Sequence, residues 1–192
     1  AQIYLGGAPM IADDLVTFVQ GDLSSFSFAV VLLIIFALGL IFRKVRWVAL
    51  PLGCCAVAGV IMVGVLGLMD WRVTVVSSNF ISLLLIITIS LTVHLTVRYR
   101  ELRATRHYTN HDKLLRHSVL SMFRPCLYTA LTTAVAFGSL IVSGILPIIT
   151  FGWMMMMGVV TALTVAFTLF PAILSILKKD ESRLSANVKL NL

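Results

Sequence analysis

Charge is what this sequence has least of. Of its 192 residues, 12% are Asp, Glu, Lys or Arg, where a soluble domain carries about 25%. Four stretches hold none at all: 23–42, 47–69, 73–97 and 125–177. A chain this poor in charge cannot clothe a globular surface in water, which excludes a soluble enzyme. Its 59% hydrophobic content and mean hydropathy of +1.02 equally exclude a disordered chain. Cysteine is scarce too. Cys54, Cys55 and Cys126 all fall inside the charge-free stretches, so they predict small packing residues and not a disulfide framework.

Other absences bear on chemistry. No Ser/His/Asp arrangement, paired carboxylates, H-E-x-x-H helix or phosphate-cradling Gly loop occurs, so no enzymatic activity and no cofactor are expected. His107 and His111 lie four apart, but nothing nearby completes a four-ligand metal site, and a solvated loop is the plainer reading. No Asp or Glu falls within any charge-free stretch, by definition, and that absence matters below.

The lengths of the stretches are informative. A helix rises 1.5 Å per residue, so about 20 apolar residues cross a ~30 Å hydrocarbon core. The run 125–177 is long enough for two crossings, and Ser143-Gly144-Ile145-Leu146-Pro147 breaks it near its middle. The expectation is an all-α integral membrane protein with five transmembrane helices, at about 23–42, 48–69, 74–97, 125–142 and 148–177. The last is long enough to leave the bilayer. Pro51 and Pro125 are expected in first helical turns, and Pro171 deep in the last helix.

The basic residues set an orientation. Arg43, Lys44 and Arg46 follow the first span, seven more lie between Arg98 and Arg124, and four follow the fifth span; Arg72 alone falls on the other side. The positive-inside rule then puts those loops and the C-terminus in the cytoplasm and the N-terminus outside. The net charge of +7 is thereby a topology signal with attraction to anionic lipid headgroups as its consequence, and no nucleic-acid partner is expected. No signal-peptide pattern precedes the external N-terminus, which predicts that the chain is part of a larger protein. Residues 1–10 predict a short strand. The apolar spacing from Ile11 to Phe26 predicts an external helix running into the first span.

Two features inside the membrane stand out. Cys126, Ala130, Ala134 and Gly138 recur every four residues, as do Gly158, Ala162 and Ala166. Such stripes of small residues predict close helix packing. In the third span, Thr88, Thr92 and Thr96 make one polar stripe, and Ser90, His94 and Arg98 another. Polar stripes in lipid are expected to face the bundle interior or a water-filled path. The segment 98–124 is expected as a cytoplasmic loop, its second half an amphipathic helix on the membrane surface, and 178–192 as a cytoplasmic tail.

The stretch His94-Leu-Thr-Val-Arg98-Tyr99-Arg100-Glu101 resembles the end of the fourth membrane helix in the resistance-nodulation-division (RND) superfamily, in its MMPL/Patched-like branch. Pro125–Leu140, with its Leu-Thr-Thr and Phe-Gly pairs, is similar to that family's fifth helix. Phe151-Gly152 and Phe170-Pro171-Ala172 fit the sixth, and Gly6-Gly7-Ala8-Pro9 the end of a periplasmic porter domain. The resemblance implies helices two to six of one six-helix repeat, the first by its general look, with residues 1–22 closing the porter domain. It also implies a proton-driven exporter of hydrophobic or lipid-like molecules in a bacterial inner membrane. Its partners would be lipids, the lipid-like substrate, and a second repeat and periplasmic domains of the same protein. Association into a homo-oligomer stays open.

The alignment puts Ser90 and Leu91 where the family has Asp-Tyr. An intramembrane carboxylate can switch helix packing on protonation, and Ser90 cannot. Three readings follow. The second repeat supplies the acid; His94, whose imidazole can carry a proton although Arg98 stands one turn away, is the relay; or coupling is lost and the bundle is a non-transporting scaffold or lipid sensor.

Overall fold

The computed structural model describes residues 28–43, 45–71, 79–104 and 111–190, the side chains of His111 and of 177–190 excepted. Those residues form five helices and no strand: α1 (Phe28–Phe42), α2 (Val45–Leu68), α3 (Phe80–Ala104), α4 (His111–Gly138) and α5 (Leu146–Leu190). A 3-10 turn, Ser139–Ser143, joins α4 to α5. The strand and helix expected over residues 1–22, the start of the first span and His107 lie outside the described residues.

Four of the helices, α2 to α5, are long and apolar enough to cross a membrane, and α1 is an apolar helix of shorter described length. Arg43, at φ 51°, reverses the chain between α1 and α2, and its N–H donates to the Gly39 carbonyl at 2.9 Å. Gly144 does the same before α5 with φ 74° and ψ −1°, a left-handed conformation that glycine adopts without the steric cost of a Cβ.

α5 is the axis of the bundle, packing against α2, α3, α4 and the 3-10 turn. Its buried side chains run from Met154 through Val159, Ala162, Ala166 and Phe170 to Leu174. α2 contributes Leu50, Cys54, Ala58, Met62 and Leu66, a strict four-residue stripe. The outward faces are largely apolar as well: Phe36 is 66% exposed and Val60 73%, with Val63, Leu131, Val135 and Val160 exposed too. In water so much contiguous apolar surface would drive association; against acyl chains it is the required solvent face, with every helix satisfying its own backbone.

Two expectations are corrected. The described residues of 98–124 are not a loop with a separate surface helix: α3 continues to Ala104 and α4 begins at His111. The cause is an inward stripe, Leu114, Ser118, Cys126 and Ala130 buried and Met122 half-buried, that keeps four-residue spacing from the charged half of α4 into its apolar half. One unbroken helix can therefore pack along the bundle for its whole length. The prolines also sit deeper than expected. Pro51 lies inside α2 and Pro125 in the middle of α4, because both helices start earlier than their apolar runs. Membrane helices tolerate such prolines where neighbouring groups re-satisfy the freed carbonyls.

Candidate functional site

The polar residues of α3 divide into an inner and an outer set. Thr88, Thr92 and Thr96 are each 0% exposed, enclosed where α3 packs against α2, α4 and α5. Their hydroxyls are satisfied within the helix: Thr88 Oγ1 donates to the Leu84 carbonyl at 2.7 Å, Thr92 to that of Thr88 at 2.9 Å, and Thr96 to that of Thr92 at 2.7 Å. Such back-bonding spends the hydroxyl donors inside α3.

Ser90 and His94 lie on the opposite, exposed side of α3, with Ile86 and Val97 above and below them. Arg98 parts company with them. Residues four apart drift about 40° round a helix of 3.6 residues per turn, so Arg98 is turned towards α4. Its side chain is 30% exposed and makes a 2.8 Å ion pair with Glu101 Oε2. Its Nε donates to Ser121 Oγ on α4 at a long 3.4 Å. Of the three expected transport residues, two share an open face and the third ties α3 to α4.

The small-residue stripes are distributed over two seams. On α4, Ala130 is buried, and Ala134 and Gly138 are half-buried; a Cβ on Gly138 would stand 3.2 Å from Met156 Sδ of α5. On α5, Ala162 and Ala166 are 0% exposed. Gly158 faces α3, where a Cβ would stand 3.2 Å from Leu84 Cδ1 and 3.6 Å from Phe80. The tightest approach belongs to Gly152, where a Cβ would fall 2.8 Å from the Phe137 backbone oxygen. It is flanked by an edge-to-face pair, Phe137 with Phe151, at 5.9 Å between ring centres. Residue spacing did not single out Gly152, since it stands six residues before Gly158 and off that stripe; the Phe151-Gly152 pair was the available signal.

At the end of the bundle that carries the basic residues, Arg100 lies over two rings, 5.2 Å from the centre of Phe42 and 5.9 Å from that of Trp47. Trp47 in turn meets Tyr99 at 5.7 Å. Sequence reading missed this junction because its parts are separated by more than 50 residues. Among the described residues, no group of three His, Cys, Asp or Glu side chains is placed to hold a metal.

A family model, that of the MMPL family, matches residues 1–187. The chain belongs to the MMPL family. Nothing among curated proteins matches it. With four membrane-crossing helices in hand, the MMPL chain is a multi-pass membrane protein and a transporter-like membrane domain.

Proposed function

We propose that this MMPL chain is the transmembrane portion of an RND-type exporter of hydrophobic or lipid-like molecules in a bacterial inner membrane, powered by the proton-motive force. The titratable acid belongs to a second repeat of the same protein. N-terminal residues face the periplasm, where porter domains select the substrate, and the basic loops face the cytoplasm. The chain performs no covalent chemistry and needs no cofactor. Its work is helix movement.

The observation that carries this reading is the open Ser90–His94 face of α3. Polar and ionisable side chains are expensive against lipid, so a helix that presents them outward from its own bundle needs another protein surface or water there. A second repeat bringing an intramembrane carboxylate would meet that need, with the uncharged Ser90 facing it. The alternative is a non-transporting scaffold or lipid-sensing bundle. It is favoured by one observation, that none of the five expected spans contains an Asp or Glu.

The test is transport by the complete protein in proteoliposomes loaded with the lipophilic dye N-phenyl-1-naphthylamine. An imposed pH gradient drives dye movement that a protonophore abolishes, and His94→Gln leaves that movement intact because the acid lies elsewhere. Dye movement indifferent to the gradient would move the account to the scaffold reading. Gradient-driven movement lost in His94→Gln would make His94 the relay.

A further inference from the structure

We infer that the junction of α1, α2 and α3 at the basic end of the bundle is a binding site for the phosphate of an anionic phospholipid, with Arg100 as its receptor. The walls come first. Phe42 closes α1 and is 2% exposed, Tyr99 is 2% exposed, and Trp47 packs against the core. These rings are therefore fixed before any ligand arrives. Arg100 is exposed, and its guanidinium carbon lies 5.2 Å over Phe42 and 5.9 Å over Trp47.

Rings attract a guanidinium without supplying an oxygen acceptor, so its fork of N–H donors is left for a ligand. That is the geometry which suits two oxygens of one phosphate. Arg98 next to it behaves differently, being engaged by Glu101 at 2.8 Å. Arg43 follows Phe42 directly, is exposed and has a left-handed backbone conformation, adding a second positive charge at the end of α1.

Position selects a lipid over a soluble anion. Phe42 ends one charge-free stretch and Trp47 begins the next. The site thus lies where the apolar span gives way to water, at headgroup depth, and Trp and Tyr favour that level. A lipid held there would pin three helices at once. The inference does not depend on whether the chain transports anything.

The experiment uses the complete protein in neutral-detergent micelles, with bound lipid counted by native mass spectrometry. Phosphatidylglycerol is titrated against phosphatidylcholine of the same chains. Arg100→Gln weakens phosphatidylglycerol binding roughly fivefold, about what one interfacial arginine contributes, and leaves phosphatidylcholine binding unchanged. Arg100→Lys, which keeps the charge and loses the planar fork, falls between, and serves alone if the Gln variant fails to melt cooperatively in phosphatidylcholine. Arg103→Gln, exposed on the same helix, has no effect. Undiminished binding in both Arg100 variants would overturn the site. So would an equal loss in Arg103→Gln, which means diffuse attraction, or displacement of the lipid by millimolar inorganic phosphate, which means a free-anion site.

Discussion

Thr92 and His94 stand two residues apart on α3 and live in different solvents. Thr92 is enclosed, and its hydroxyl is within 3.0 Å of two carbonyls of its own helix. It needs no partner from elsewhere, so Thr92→Val removes a bond that was never between helices. The change in thermal stability of the detergent-solubilised protein should stay within about 1 kcal/mol, and gradient-driven transport should persist. A larger loss in either would mean that the threonine stripe does more than fill space. His94 faces outward, and nothing about its neighbours in sequence separates it from Thr92. Both polar stripes were legible in the residues at positions 88–98. Which one faced in was not, because that depends on where α2, α4 and α5 sit round α3, and four-residue spacing carries no such information.

At the scale of helices, the seam between α4 and α5 is set by one absent side chain. The backbones meet where a Cβ on Gly152 would lie 2.8 Å from the Phe137 oxygen. Backbone cannot rotate away as a side chain can, so Gly152→Val overpacks the seam and should cost about 1–3 kcal/mol, measured as a lowered unfolding midpoint in detergent. Gly158→Ala is the contrast. Its new methyl meets the flexible end of Leu84 at 3.2 Å, and the helix-propensity gain of about 1 kcal/mol offsets that crowding. Equal losses in the two variants would refute the assignment of the seam to Gly152. Element existence was well marked in the sequence: the charge-free stretches located α1 to α5, and Ser143-Gly144 located the turn before α5. Element ends were not. The charged first half of α4 looks like a surface helix by composition, and only the continuity of Leu114, Ser118, Met122 and Cys126 across Pro125 reveals one helix. A polar end and a membrane span are easily separated on paper, whereas hydrogen bonding makes them one rod.

At the scale of the whole molecule, the helices bury their shared face on α5 and leave outer faces largely apolar; exposed Thr132, Thr164 and Thr168 donate to carbonyls of their own helices, whereas on α3 an imidazole, His94, is exposed beside Ser90. That exception organises the functional account. A bundle complete in itself would show lipid only apolar side chains and hydroxyls bonded to their own helix, and the imidazole of His94, beside Ser90, breaks that rule. The family match over residues 1–187 was foreshadowed by His94-Leu-Thr-Val-Arg98-Tyr99-Arg100-Glu101 and by the order of the shorter motifs. The direction of the Ser90 face, on which the account turns, came from the fold. Accessibility at position 90 therefore tests the central claim most directly. Ser90→Cys is introduced into the complete protein with Cys54, Cys55 and Cys126 replaced by Ala, and then offered a water-soluble maleimide and a lipid-phase maleimide in native membranes. The account predicts protection from the lipid-phase reagent, with labelling from water or by neither. Labelling from the lipid phase alone would place Ser90 against acyl chains and contradict it.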